Sequence, residues 1–380
     1  MSGKGAPAPA KGGLEGIVAG KTALSMVDGQ QGRLTYRGFD IGDLARNASF
    51  EEVVHLLWQG HLPNRRELAD TRERLAKERP LANDVVAMLR QIAGRSPPME
   101  ALRTAVSMTA SYDPDVERND PAANMRKAHR ITAKTASIIA AYHRLREGHD
   151  PIAPKPDLDH ASNFLYMLWG KEPDGEIARD FDVCLVLHVD HGFNASTFTA
   201  RCIASTMSDM HSAVTGAIGS LKGPLHGGAN EAVMHMLEEI GSADRAESYI
   251  MEKLAHKEKI PGFGHRIYKV LDPRAPHLKD MSERLGKRSG NLRWFEMSTL
   301  IQQKVKALKG LDANVDFYSA STYHSMGIPT DLFTPIFALS RVSGWTAHVM
   351  EQLADNRLIR PDAEYVGDDR REWVPIDKRA

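Results

Sequence analysis

Apolar residues recur at helical spacing along most of this chain. Phe50, Val53, Val54 and Leu57 fall at i, i+3, i+4 and i+7, and Ser49 with Glu52 supplies a capping box before them. Gly60 stops that helix. Asn64 with Glu67 opens the next, and Val85, Met88, Leu89 and Ile92 mark a third that ends near Gly94. Pro97-Pro98 precedes a short helix carrying Met99, Leu102 and Val106. A long helix runs from Pro121 to Arg146, with Ile131, Thr135, Ile138, Tyr142 and Leu145 along one side. A proline-rich connector over 148–156 leads to helices around His160 to Trp169 and Glu176 to His188.

Two stretches break this regularity. Gly29 to Gly42 carries glycines at 29, 32, 38 and 42 around Leu34-Thr35-Tyr36, and reads as a hairpin or an irregular loop. Between Ala195 and Leu221, small residues dominate, interrupted by the N-cap site Ser208-Asp209. Small residues let helices approach closely, which suits either a buried pair within the chain or a helix-paired subunit interface. Gly223-Pro224 then ends the preceding helix. A new helix follows over Glu231 to Ile240, with Ala232, Val233, Met236 and Leu237 on its apolar face. Beyond 230 the helices read as shorter and more charged, with Lys and Glu abundant through 252–310, as expected of a second, smaller domain. Apolar patterning returns from Thr330 to Asn356, and Pro361 onward reads as an extended tail. No period-two run of useful length occurs, so the expected fold class is all-α.

Composition narrows the function classes. A chain of 380 residues with 42% apolar and 26% charged residues is ordinary for a globular protein and long enough for two domains. Lys+Arg and Asp+Glu are equal at 49 each, which removes a global bias toward nucleic acid or an anionic membrane. Cys184 and Cys202 both fall in apolar helical patterns, so a disulfide framework is not expected and a reduced, cytoplasmic setting is. Met1 to Gly13 lacks an apolar h-region and reads as a disordered tail rather than a signal peptide. No apolar run approaches the ~20 residues of a membrane span.

Candidate chemistry lies at the breaks. His226 stands between Gly223-Pro224 and Gly227-Gly228-Ala229-Asn230, just before a helix N-terminus. Orphan N–H groups and the positive dipole end disfavour an imidazolium there. A neutral imidazole can donate a hydrogen bond to a developing enolate, and the glycines let a ligand approach the backbone. A plain helix–helix turn fits the same pattern. His188 and His191, three apart, admit three readings: metal ligands, structural hydrogen-bonders, or an anion contact made by His191. His265, in Pro261-Gly262-Phe263-Gly264-His265-Arg266, follows the basic run Lys253, His256, Lys257 and Lys259. Such a loop can close on phosphates or be a solvated face. It is no dinucleotide fingerprint, because Ile267 stands at the third glycine. Asp272-Pro273-Arg274 fixes an arginine on a turn, suited to bidentate carboxylate binding. Asp316, among Val315, Phe317 and Tyr318, is either a general base raised by apolar surroundings or an N-cap. Arg341 and Arg360 are surface residues by default. A G-x-S-x-G elbow is lacking, which excludes an α/β-hydrolase.

Five segments stand in a specific order: His188 to Thr197 (His-Val-Asp-His-Gly-Phe-Asn-Ala-Ser-Thr), Gly223 to Asn230 (Gly-Pro-Leu-His-Gly-Gly-Ala-Asn), Pro261 to Arg266, Asp272-Pro273-Arg274, and Asn314 to Ser319 (Asn-Val-Asp-Phe-Tyr-Ser). Together they resemble citrate synthase, and the likeness runs from Gly13 into the Arg360 to Gly367 tail. The resemblance implies a large domain over 14–225 and 322–380 and a smaller closing domain over 226–321. It looks like the short, dimeric form of Gram-positive bacteria and archaea. It implies condensation of acetyl-CoA with oxaloacetate and water to citrate and CoA, the entry step of the tricarboxylic acid cycle, with no metal or other cofactor.

Roles carry over residue by residue. His226 matches the donor to the thioester oxygen, Asp316 the base on the methyl group, and His265 the acid at the oxaloacetate carbonyl. His191, Arg274 and Arg341 match oxaloacetate contacts, and Arg360 an arginine given across the homodimer to the partner's site. Glu258, Lys259, Ile260, Pro261 and Gly262 match the backbone loop around the CoA adenine. Ala320, where many members have glycine, Val189, and a compact stretch between Gly286 and Asp312 depart from the pattern. The alternative within the family is 2-methylcitrate synthase, which uses propionyl-CoA. Leu225 before His226 and His188 before Asp190 look more like citrate synthase.

Overall fold

The computed structural model describes residues 12–14 and 16–379. Of the expected tail over 1–13, residues 1–11 lie outside the described residues, and Gly12 and Gly13 enter a one-turn 3-10 helix, Gly12–Leu14. The glycine-spaced stretch that follows is a hairpin system. Strands β1 (Ser25–Asp28), β2 (Arg33–Tyr36) and β3 (Phe39–Asp40) form one antiparallel sheet in that order. Ser25 pairs with Tyr36 and Asp28 with Arg33, while Tyr36 pairs with Phe39. The β2–β3 link is Arg37-Gly38, both at positive φ (49° and 89°), the two-residue turn whose twist matches its strands. The strands are at most four residues long, so no period-two signal was available to reveal them.

Helices carry the rest: α1 (Ile41–Asn47), α2 (Phe50–Gln59), α3 (Arg65–Glu78), α4 (Asn83–Ile92), α5 (Pro98–Thr109), α6 (Pro121–Arg146), α7 (His160–Trp169), α8 (Gly175–His188), α9 (Ala195–Ser205) and α10 (Met210–Leu221). Then come α11 (Ala229–Ile240), α12 (Ala243–Ala255), α13 (Ala275–Ser289), α14 (Arg293–Lys309), α15 (Val315–Ser325) and α16 (Phe333–Ala354). Among the described residues the fold is all-α with one small sheet. Local rules act where the residues predict them. Both capping boxes form, Ser49 with Glu52 and Asn64 with Glu67, and Gly60 ends α2 at φ 87°. Asp209 caps α10 by accepting from the Ser212 amide. One expectation fails. The helices beyond 230 are not shorter: α13 has 15 residues and α14 has 17, against 10 in α2. Their Lys- and Glu-rich outer faces lower the mean hydropathy, while a single stripe, Trp294, Met297, Ile301 and Val305 in α14, remains buried.

The core is organised on α16, which is apolar nearly all round and buried from Phe333 to Val349. It packs on α6, α8, α9 and α10. A Cβ at Gly344 would stand 2.2 Å from the Val189 carbonyl oxygen, so glycine lets α16 press on the chain just after α8. The small-residue stretch forms the close α9–α10 pair, where a Cβ at Gly216 would meet Ile203 Cδ1 at 2.3 Å. Helices α11 to α15 pack chiefly on one another, and α11 also meets α16. Residues 356–375 hold no helix, and Tyr365, Val366 and Trp373 are exposed there, as expected of an extended tail. No helix among the described residues is long and apolar enough to cross a membrane.

Candidate active site

A cleft of about 1360 Å³ opens between α16 with the α8–α9 junction and the elements around α15. It receives His191, His226, the Glu258–Gly262 loop, His265, Arg274, Asp316 and Arg341. These come from three breaks and two helices, so the fold brings together what the chain scatters. Arg360 is not among them. It lies on the exposed tail, its Nη1 3.6 Å from Asp362.

His226 sits in the turn between α10 and α11. Gly227 is required there because a Cβ would stand 2.4 Å from the Leu221 carbonyl oxygen, so its reason is packing and not ligand approach. The expected neutrality of His226 stands, with a different cause. Burial, helped by the Arg341 charge, lowers its pKa to about 4. The helix N-terminus it faces is that of α9 rather than α11. The Ser196 amide, in the first turn of α9, donates to His226 Nε2 at 3.3 Å, and Ser196 Oγ lies 2.8 Å away. An amide can only donate, so Nε2 accepts and the imidazole proton resides on Nδ1.

His265 is tied by the other nitrogen. Its Nδ1 accepts from the Ile267 and Tyr268 amides at 3.0 and 3.1 Å, which leaves the proton on Nε2. Burial and the Arg274 charge lower its pKa to about 4. The loop carrying it is laced to the start of α15: Gly264 N donates to Asp312 O, Asn314 N to Gly262 O, and Asn314 Nδ2 to Gly264 O. Gly262, at φ 79°, has no room for a Cβ, which would meet Phe317 and Val233 at 2.8 Å.

Asp316 is not the N-cap of α15. Asn314 is, accepting from the Asp316 amide, and this frees the aspartate side chain. Asp316 Oδ1 is buried with no hydrogen-bond partner. Burial raises its pKa to about 7 against the opposing charges of Arg274 and Arg341, with Asp272 adding to the rise. Such a carboxyl can gain and lose a proton near neutrality.

The two arginines differ. Arg274 is buried and bidentate on Asp272, Nε to Oδ1 at 2.9 Å and Nη2 to Oδ2 at 2.7 Å. The fork expected to grip a ligand carboxylate is thus closed on a protein one. Arg341 is 1% exposed, which overturns its surface reading. Its Nε donates to the His188 carbonyl at 2.7 Å and its guanidinium lies 4.7 Å from the Phe337 ring centre. No carboxylate stands within salt-bridge distance of Arg341 among the described residues. Burial pulls its pKa down to about 10, opposed by the Asp190 charge. A buried cation without a counter-ion is a site for an anion.

His188 and His191 do not converge on a metal. His188 Nδ1 bonds the Cys184 carbonyl at 2.7 Å inside α8, the structural reading. His191 is buried with Nε2 3.1 Å from Tyr268 Oη and its ring 5.2 Å from that of His265. The next residue back, Asp190, braces this junction. It bonds His348 Nε2 at 3.1 Å and the Ser25 hydroxyl, and its carbonyl accepts from Tyr36 Oη at 3.0 Å. The small sheet and α16 therefore hold His191 from two sides. Sequence reasoning missed Ser196, Tyr268 and Asp272; only Asp272 carried a signal, in its Asp-Pro-Arg turn.

The family model for the citrate synthase C-terminal domain matches residues 13–362. Citrate synthase 2 of Bacillus subtilis (strain 168) is 52% identical over 369 residues, covering 97% of this chain and 99% of its own. Citrate synthase of Haloferax volcanii is 50% identical over 374 residues, with coverage of 97% and 99%. Relatives named 2-methylcitrate synthase also match, that of Mycobacterium tuberculosis (strain H37Rv) at 45% over 361 residues, covering 95% of this chain and 91% of its own. A solved structure titled as a ternary complex of carboxymethyl coenzyme A and oxaloacetate with citrate synthase from Thermoplasma acidophilum has a TM-score of 0.92 at 33% identity, covering 97% and 98% of the two chains. On residues, cleft and relatives alike, the chain belongs to the citrate synthase family.

Proposed function

We propose that this chain condenses acetyl-CoA with oxaloacetate and water to give citrate and CoA. The observation that carries the reading is Asp316, a half-buried carboxyl whose Oδ1 is buried and unpartnered and whose pKa is raised to about 7, in one cleft with two neutral histidines and the unpaired Arg341. Oxaloacetate binds first, its carboxylates on Arg341, on His191 and on Nη1 of Arg274, the one guanidinium nitrogen of its outer fork that Asp272 does not hold, with Arg360 reaching in from a second copy in a homodimer. The α11–α15 group over 226–321 closes on it and excludes water. Asp316 then takes a methyl proton from the thioester, while His226 donates from Nδ1 to the thioester oxygen. Acid and base acting from both ends are each worth roughly 10²–10⁴-fold. The enolate carbon attacks the oxaloacetate carbonyl, to which His265 donates from Nε2. Water finally cleaves citryl-CoA. The backbone at Glu258, Lys259, Ile260, Pro261 and Gly262 is assigned to the CoA adenine, and the protein to the cytoplasm. The proton transfers of enolisation and condensation fall to side chains, and no metal or organic cofactor is assigned to the reaction.

Release of free CoA thiol, measured with oxaloacetate and either acetyl-CoA or propionyl-CoA, tests this. Acetyl-CoA should show the higher kcat/KM. A preference for propionyl-CoA would establish the second reading, 2-methylcitrate synthase, which the relatives of that name keep open.

A further inference from the structure

Away from the cleft, the turn joining α2 to α3 gathers three side chains the reaction does not use. His55 lies in α2, His61 one residue past the Gly60 cap, and Glu67 in the first turn of α3. One ligating atom from each stands within 4.8 Å of the others. His61 Nε2 is 3.2 Å from Glu67 Oε1. Donor atoms on a tetrahedral zinc ion, with bonds of about 2.0–2.1 Å, stand roughly 3.4 Å apart. This pair is already at that spacing.

The state of His55 follows from its neighbour. Thr71 Oγ1 donates its single proton to the Glu67 carbonyl at 2.9 Å. Its 3.0 Å contact with His55 Nδ1 is therefore received from an N–H. The ring's lone pair stays on Nε2, which is buried and has no hydrogen-bond partner. Metal-bound histidines are held in this way, the second ring nitrogen donating to a fixed acceptor. Glu67 Oε2 accepts from the Asn64 amide at 2.8 Å, so Oε1 is the oxygen turned to His61. A surface ion pair accounts for His61 and Glu67, but it leaves the orphaned nitrogen of His55 unexplained.

We propose that His55 Nε2, His61 Nε2 and Glu67 Oε1 form a zinc-class divalent metal site, with water at the fourth position. The ion pins α2 to α3 and serves the fold, not the condensation. His61 is largely exposed, so the site is open to solvent.

Untagged, chelator-treated protein titrated with zinc chloride in a calorimeter tests it. One ion per chain should bind and raise Tm. His61→Ala should weaken zinc binding by at least about tenfold, and Thr71→Val, which removes the acceptor behind His55 together with its bond to the Glu67 carbonyl, by about 10–100-fold. His61→Ala should leave CoA release unchanged without zinc. Equal zinc affinity in the native chain and His61→Ala overturns the proposal, as does zinc that oxaloacetate displaces, which would place the ion in the cleft.

Discussion

The two walls of the cleft handle charge in opposite ways. On the wall of α16 and the α8–α9 junction, Arg341 has a carbonyl and an aromatic ring for neighbours and no carboxylate. On the facing wall, Arg274 is closed on Asp272, which also accepts from the Val315 amide at 3.3 Å. One cation waits for an anion, while the other holds the backbone from which Asp316 extends. The histidines repeat the contrast. His226 is tied through Nε2 and His265 through Nδ1, each to backbone amides, so they present protons from opposite ring nitrogens. Both walls use fixed amides rather than mobile side chains to set a tautomer, which spares reorganisation when charge develops on a substrate oxygen.

The largest expected effect tests which wall supplies the base. Asp316→Ala should lower kcat by about 10²–10⁴-fold, measured by CoA release at saturating oxaloacetate. It should not lower Tm, because the Oδ1 it removes is buried without a hydrogen-bond partner. Unchanged kcat would move the base elsewhere. The arginines come next. Arg341→Met should raise the KM for oxaloacetate by about two orders of magnitude, within the 2–5 kcal/mol range for truncating one side of a buried charge contact, and leave Tm near its native value. Arg274→Met strips Asp272 of its partner and should destabilise the fold by about 3–5 kcal/mol in urea unfolding. If both variants lose stability equally, the contrast between the walls is wrong.

The sequence made one wall easier to read than the other. The caps of α2, α3 and α10 were legible because each is a local pattern of a few residues. Asp316 was legible as an acid among apolar neighbours, but the choice between cap and base needed Asn314 to be seen taking the cap. Arg341 was not legible. Its burial comes from α6, α8 and α9 closing round α16, contacts that join residues far apart in the chain. Ser196 was missed for the same reason: it meets His226 across 30 residues. The neutrality of His226 was anticipated from a helix terminus, yet the terminus belongs to α9, and burial contributes most of the shift.

The smallest effect sharpens the comparison by pH. His226 and His265 both titrate near 4, so neither changes charge between pH 5 and 8. Asp316, raised to about 7, does. The condensation needs its ionised form, so kcat/KM for acetyl-CoA should fall about tenfold per pH unit below its pKa. Bound oxaloacetate brings negative charge beside Arg274 and Arg341, the two groups that hold Asp316 down. At saturating oxaloacetate the acid limb should therefore centre at 7 or higher, and a limb below pH 5 would make Asp316 an ordinary carboxylate. Stability carries the opposite sign. A carboxyl whose folded pKa lies above its usual 3.8 binds more protons in the folded state, so its contribution is fully present below 3.8 and is lost as pH rises through about 7. Asp316→Ala removes that loss, and the Tm difference between variant and native chain should grow in favour of the variant from pH 5 to pH 8. The acid that makes the cleft reactive above pH 7 is, on this reading, the one that weakens the fold there.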